Sequence, residues 1–411
     1  MKFIIMSMFK SACIISAVSA LSAPVTFAAA QVDVIYSHAS TVKFSTHQTE
    51  DLLVKSLLQI TRGQLQQAAE SIDQVLKIAP NFKLAQLVRG DLLMAQAHQF
   101  QTFGSVAVNA PQNVADFREE ARKRIEHYFS QQKNDSLPEP LWQMDVQQQY
   151  AIVVDADNSR LYLYRNENGV PSYVADFYTT IGKNGIEKHT EGDKRTPLGV
   201  YFTGAKLTKK LADIYGDAAY PLSYPNEWDR RQGKTGSGIW VHGTPQDTYS
   251  RPPNASDGCV VVSNPDLDSM APVLEKGNVP VIIAQNLRWV SPQALLSKKT
   301  DVLSAIEAWR KDWQSQNTDT YLSHYSQQFA SNDMTFAQWA NEKRRIQASK
   351  PKVDIKLSNV SVFNYPNNGK PMVVVTFNQS FKNNLLDSQM RKRQYWVQES
   401  QGWKIIYEGP V

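Results

Sequence analysis

Along this chain the spacing of apolar positions changes character twice. From about Thr46 to Gln132 the apolar residues recur at intervals of three and four, in text rich in alanine, leucine and glutamine, which predicts amphipathic helices. Within it "GQLQQAAESIDQVLKIAPNFKLA" (Gly63 to Ala85) reads as paired helices, with Pro80 stopping the run because it has no N–H to donate. "DFREEARKRIEHYF" (Asp116 to Phe129) is a further amphipathic helix whose charges form a solvated face. The proline-marked "SLPEPLW" (Ser136 to Trp142) reads as a linker. Beyond it the period drops to two. "YAIVVDADNSRLYLYRNENGVPSYVADFYTTIG" predicts strands broken by turns at Asp157-Asn158 and at Asn166 to Gly169, and strand text continues to "VPVIIAQ" (Val279 to Gln285). The tail opens with helical text, "DVLSAIEAWRKDWQSQNTDTYLSHYSQQF" (Asp301 to Phe329), with "NTD" as the break between two helices. Its aromatic stripe of Trp309, Trp313, Tyr321, Tyr325 and Phe329 is expected to be core. A short helix around "FAQWANEKRRI" and several strands complete an α+β pattern.

Composition changes this picture little. The chain has 411 residues, 42% of them hydrophobic, which suffices for two or three packed domains. Its formal net charge is +5, of which Lys2 and Lys10 supply two, and a bias that small does not point to nucleic acid. The first thirty residues carry those lysines, an apolar stretch (Ser11 to Leu21) and a small-residue site at Ala28-Ala29-Ala30, and so read as a secretory signal peptide. No later segment has the length and apolarity of a membrane span, so the expected location is extracytoplasmic, in the periplasm.

Cysteine usage matters more. There are two, Cys13 in the leader and Cys259, so an exported chain would keep one unpaired thiol in an oxidising compartment. Cys259 sits in "HGTPQDTYSRPPNASDGCVVV" (His242 to Val262). His242 follows the apolar "GIWV" and so stands at a strand end. Cys259 follows Ser256-Asp257-Gly258, a turn that feeds "VVV". Two strand ends can bring thiol and imidazole together, and the turn glycine lets backbone N–H groups approach a reacting carbonyl. On position alone, a buried inert cysteine explains Cys259 equally well. The remaining histidines do not cluster with the pair at metal-ligand spacing, so no metal is expected.

The surrounding text resembles a known family. His242-Gly243, a loop, then Ser256-Asp257-Gly258-Cys259 is similar to the motif of the L,D-transpeptidase (YkuD-type) catalytic domain. Upstream, "IGKNGIEKHTEGDKRTPLGVYF" (Ile181 to Phe202) and "YPNEWDRRQGKTGSGIWVHG" (Tyr224 to Gly243) resemble the stretches that lead into it. Gly63 to Ala85 resembles a single tetratricopeptide repeat or an ordinary helical hairpin, and the tail resembles the nuclear-transport-factor-2-like (NTF2-like) cone. The expected fold is therefore multidomain: leader 1–30, helical module 31–145, mostly β catalytic domain 146–288 and α+β cone-like domain 300–411.

The resemblance implies a chemistry that requires no metal or organic cofactor. Cys259 would attack the bond between an L-configured centre and D-alanine in a peptidoglycan tetrapeptide stem. His242 would move the proton, the Gly243 carbonyl would orient the imidazole, and the N–H groups of Gly258 and Cys259 would hold the oxyanion. The thioester would pass to an amine (transpeptidation) or to water (carboxypeptidation). Two departures bear on the acceptor: Asp257 and Val261 stand where many members have His and Arg. Arg251, Lys183 and Lys234 are the candidate replacement cations, while Trp240, Tyr220 and Tyr224 either line the groove or belong to the core. The domain order is similar to that of cell-shape L,D-carboxypeptidases, and "GDKRTPLGVYF" to hydrolases that release peptidoglycan-linked lipoprotein. The rival of another class is a peptidoglycan-binding adaptor that recruits a protein partner through the helical module.

Overall fold

The computed structural model describes residues 47–97, 111–130, 136–331, 334–348, 352–367, 369–384 and 386–411; the leader read at 1–30 lies outside them. Helices His47–Thr61 (α1), Leu65–Ile78 (α2), Lys83–Gln96 (α3) and Pro111–Phe129 (α4) form the N-terminal module. In α2 the buried positions Ala68, Ile72 and Val75 repeat every three or four residues, and in α3 Leu84, Ala85, Val88 and Leu92 do the same. Both stripes close on Leu53, Leu57, Ala121 and Ile125, so one small core holds all four helices. Pro80 lies between α2 and α3, as the sequence requires.

The middle of the chain is built from strands. Tyr150–Asp155 (β3), Arg160–Glu167 (β4) and Val170–Tyr178 (β5) form a meander. The β4–β5 connection is Asn168-Gly169, both at positive φ (57° and 88°), the two-residue turn that matches the twist of paired strands. Pro280–Ala284 (β12) adds parallel to β3, and Gly199–Phe202 (β7) closes the far edge, giving the order β5-β4-β3-β12-β7. A second sheet orders Val260–Val261 (β11), Trp240–His242 (β9) and Ala219–Pro221 (β8). Helix Asn264–Leu274 (α6) covers it, started by the Ser263 side chain accepting from the Asp266 N–H. A short helix, Glu227–Arg231 (α5), precedes β9. Between the two sheets lies a core that includes Ile152, Val154, Leu161, Leu163, Val241 and Val260.

The five-stranded sheet is apolar on both faces, which explains why its strands read as continuous apolar text. In "LYLY", Leu161 and Leu163 enter the inner core, while Tyr162 and Tyr164 point the other way. They do not meet solvent. Ala151, Val153, Val200, Phe202 and Ile282 share that outer face and are covered by Phe363, Met372, Val374, Tyr395 and Ile406 of the C-terminal domain. Each such side chain, fully buried, contributes about 1.5–3 kcal/mol. The two domains thus share a core, with Arg393 and the Tyr395 hydroxyl adding bonds of 3.0 and 3.1 Å to Glu227.

The C-terminal domain is an antiparallel sheet, Asp354–Asn364 (β16), Met372–Lys382 (β17), Asp387–Glu399 (β18) and Gly402–Pro410 (β19), with helices Pro292–Ser315 (α7), Thr318–Ser323 (α8) and Phe336–Ala348 (α9) on its other face. The aromatic stripe is core: Trp309, Tyr321, Tyr325 and Phe329 are buried against Trp339, Phe377 and Trp396. Two expectations need correction. The second helix of the stripe ends at Ser323, so Tyr325 and Phe329 reach the core from the following chain. The stretch read as a linker is strand: Leu137–Pro138 (β1) pairs with Trp289–Val290 (β13), and Leu141–Gln143 (β2) adds to the edge of β16. The prolines do not prevent this because both segments are short edge strands.

Candidate active site

Strands β9 and β11 run parallel, with Val241 opposite Val260 and His242 opposite Val261. In this register Cys259, the residue before β11, stands level with Trp240, two positions before His242. The His242 ring is buried, and its Nδ1 lies 2.7 Å from the Gly243 carbonyl oxygen. A carbonyl can only accept, so Nδ1 carries the proton and Nε2 is left with its lone pair. Burial pulls the imidazole down to about 4, against the Gly243 carbonyl, which favours its charged form. The Tyr215 ring meets the imidazole edge-on at 5.2 Å and packs at 4.7 Å against Trp240.

Gly243 is held as firmly as the ring it orients. A Cβ at Gly243 would collide with Asn264 Oδ1, which accepts from the Thr244 N–H at 3.1 Å, while Asn264 Nδ2 donates to the Thr244 carbonyl at 2.9 Å. Asn264, at the start of α6, therefore pins the carbonyl that fixes the histidine tautomer. Nothing in its local sequence marks it.

The Cys259 thiol is buried and donates to the Gly238 carbonyl at 3.3 Å; burial pushes it up to about 11. At neutral pH the resting pair is thus thiol and neutral imidazole. The turn before it is closed from within: Ser256 Oγ donates to the Cys259 carbonyl at 2.7 Å and accepts from the Gly258 N–H at 3.1 Å. That last bond corrects one expectation. The Gly258 N–H is bonded inside the turn and is not free for the oxyanion role expected of it. Gly258 is needed for shape instead, with φ +124° and a Cβ that would lie 2.8 Å from the Arg195 carbonyl oxygen. Its own carbonyl accepts from Thr196 Oγ1 at 2.9 Å, and the same hydroxyl accepts from the Gly182 N–H at 2.9 Å. Thr196, the threonine of "TPLG", thereby ties the turn before Cys259 to Gly182.

The tentative substrate-binding residues separate. Arg251 is partly buried, donates to the Ala255 carbonyl, and its charge bears on both His242 and Cys259. Trp240 is half-buried beside Tyr215. Tyr224 is not at the site: it is buried in the inner core, its hydroxyl donates to the Thr235 carbonyl at 3.1 Å, and its ring packs against Tyr201. Tyr220 is also core. Lys234 is committed to buried Asp229 at 3.0 Å, and Lys183 pairs with exposed Asp257 at 3.2 Å. Among the described residues no group of histidine, cysteine and carboxylate side chains could hold a metal ion, and no helix is long and apolar enough to cross a membrane.

A buried thiol and a neutral imidazole thus stand on neighbouring paired strands, the imidazole oriented by a backbone carbonyl. Residues 149–283 match the family described as the L,D-transpeptidase catalytic domain (YkuD), and residues 301–409 match the Cds6 C-terminal NTF2-like domain. The chain therefore carries an L,D-transpeptidase catalytic domain joined to a C-terminal NTF2-like domain, which places it among peptidoglycan-related proteins. Two solved structures are similar over nearly their whole length. The helical cell shape determining protein Pgp2 from Campylobacter jejuni is 28% identical with a TM-score of 0.58, covering 70% of this chain and 99% of its own. Bd1075 from Bdellovibrio bacteriovorus is 25% identical with a TM-score of 0.59, covering 67% of this chain and 99% of its own. The match leaves 30% of this chain uncovered in the first case and 33% in the second. No curated protein sequence matches the chain significantly.

Proposed function

We propose that the protein is a peptidoglycan-modifying acyl-transfer enzyme acting on tetrapeptide stems, with Cys259 as nucleophile and His242 as general base. The observation that carries this reading is the 2.7 Å bond from His242 Nδ1 to the Gly243 carbonyl, which leaves Nε2 unprotonated, with the only described cysteine one residue ahead of the strand paired to that of His242. As Sγ attacks the carbonyl between the L-configured centre and D-alanine, the thiol proton passes to Nε2. The tetrahedral oxyanion is stabilised by the Cys259 N–H. Collapse expels D-alanine, whose amine takes the proton from Nε2, and leaves a thioester on Cys259. An amine of a second stem or a water then attacks the thioester, its proton passing through Nε2 back to sulfur. Arg251 is the cation for the substrate carboxylate, and Trp240 forms a wall of the groove. The leader read at residues 1–30 delivers the chain to the periplasm, where the stems are.

The test is incubation of the purified protein with tetrapeptide muropeptides, read by mass spectrometry beside Cys259→Ala. Cross-linked dimers identify amine as acceptor; tripeptide with free D-alanine identifies water. Untouched substrate with the wild-type protein overturns the tetrapeptide assignment.

A further inference from the structure

The loop between His242 and Cys259 is gripped by the N-terminal helices. At the surface, the Tyr249 N–H donates to the Asn81 carbonyl at 3.2 Å and Asn81 Nδ2 donates to the Gln246 carbonyl at 3.0 Å. The Tyr249 ring packs on Phe82 at 4.8 Å and joins the helical core.

Deeper contacts are charged. Ser250 Oγ donates to Glu120 Oε1 at 2.6 Å, and Glu120, 1% exposed, also accepts from Arg124 at 2.9 and 3.1 Å. Arg124 bonds Glu50 at 3.0 Å and lies 3.8 Å over the ring of Tyr178, whose hydroxyl donates to the Arg251 carbonyl at 3.1 Å. The Thr180 hydroxyl adds a bond of 2.9 Å to the same carbonyl. Arg251 is therefore held on both sides. The residue before it is bonded to a helix carboxylate, and its own carbonyl is bonded to a tyrosine clamped under a helix arginine. A surface loop ordinarily satisfies its hydroxyls with water. Here α4 supplies a buried carboxylate to one, an arrangement that holds its geometry because every member is paired.

We propose that Glu120 and Ser250 are positioning residues of the active site, through which the helical module sets the place of Arg251 relative to Cys259 and His242. The proposal rests on the reading of Cys259 and His242 as the reacting pair. On this view the helices are part of the catalytic unit, and substrate binding depends on side chains that never touch substrate.

The experiment uses the full chain with Ser250→Ala and Ser250→Thr, the second keeping the hydroxyl. Three quantities are read: kcat and KM for D-alanine release from a tetrapeptide muropeptide, the rate of Cys259 alkylation by iodoacetamide followed on its own peptide by mass spectrometry, and the far-UV circular dichroism. Ser250→Ala is expected to keep the wild-type spectrum, to lose about ten- to a hundredfold in kcat/KM, mostly through KM, and to alter the alkylation rate severalfold. Ser250→Thr is expected to stay within a few-fold of wild type. Tyr178→Phe, which keeps the ring under Arg124 and removes only the hydroxyl, shifts KM in the same direction by less. Wild-type KM and alkylation rate in Ser250→Ala overturn the proposal, as does a Ser250→Thr that falls as far as Ser250→Ala. A wild-type chain inert toward the tetrapeptide overturns the reading of the reaction instead, and alkylation then decides this proposal alone.

Discussion

Two buried polar regions lie on either side of the loop 243–258, and burial has opposite results in them. At Cys259 and His242 neither group is in an ion pair: burial pulls His242 down to about 4, pushes Cys259 up to about 11, and both rest neutral. At the junction of α1, α4 and β4 the charges persist. Burial raises Glu50, but Arg160 and Arg124 overcome it and hold the carboxyl at about 2. Arg160 bonds Glu50 at 2.5 and 2.9 Å and Asp176 at 3.3 Å, and His127 Nε2 reaches Asp176 at 3.0 Å. The same low-dielectric interior silences unpaired groups and preserves paired ones. One region is left uncompensated and can accept a proton in a reaction. Its neighbour is held by ion pairs, although burial still raises Glu120 above its ordinary value, and it gives rigidity.

The sharpest way to break this contrast is to remove a catalytic group. Cys259→Ala or His242→Ala is expected to lower the rate of acyl transfer by about a thousandfold or more with little change in thermal stability. A Cys259→Ala protein that still releases D-alanine ends the assignment. Next in size, Glu50→Gln leaves Arg160 and Arg124 facing a neutral amide. It should cost roughly 3–5 kcal/mol in urea unfolding, and a loss under 1 kcal/mol would mean the network is not compensated as described.

Titration tests each region in turn. With the thiol near 11, Cys259 alkylation should climb about tenfold per pH unit from pH 7 to about 10. A plateau below pH 8 would instead mark a thiolate–imidazolium pair. Peptide-bond attack needs neutral His242, so D-alanine release should be lost as pH falls toward 4. Stability moves the same way. Glu50 lies below its unfolded value of 4.5, so its contribution is present above pH 4.5 and is lost as pH falls toward 2. His242, held neutral in the fold, adds to the loss between its unfolded 6.5 and about 4. The smallest effect is expected at the exposed Lys83–Asp247 pair, 2.8 Å apart, where Lys83→Ala should change stability by less than about 1 kcal/mol.

Much of the scaffold was legible because it follows local period. The helical stripes of α2 and α3, the Asn168-Gly169 turn and the strand-end places of His242 and Cys259 all lie within short stretches of text. What was not legible depends on partners distant in sequence. "SLPEPLW" looks like a linker until β16, over two hundred residues later, offers it an edge. Tyr224 and Trp240 are both aromatic residues near the motif, and only the packing of the inner core sends one inward and leaves the other beside Tyr215. The Gly258 N–H is taken by a serine two residues away, a choice of turn geometry that residue type does not announce. Asn264, Glu120 and Ser250 are single polar residues without a motif, and their importance lies in what they touch.

The core shared by the two large sheets also sets a schedule for synthesis. The outer face of the catalytic sheet is complete once Ala284 has been made, yet the strands that cover it span Asp354 to Pro410. At roughly 5–20 residues per second, that apolar face waits several seconds or more for its cover. Strand β2 waits longer still for the edge it joins. During that interval the half-made chain presents Tyr162, Tyr164, Phe202 and Ile282 to whatever is nearby. A chain cut short before β16 would keep a complete His242–Cys259 pair but would be expected to aggregate.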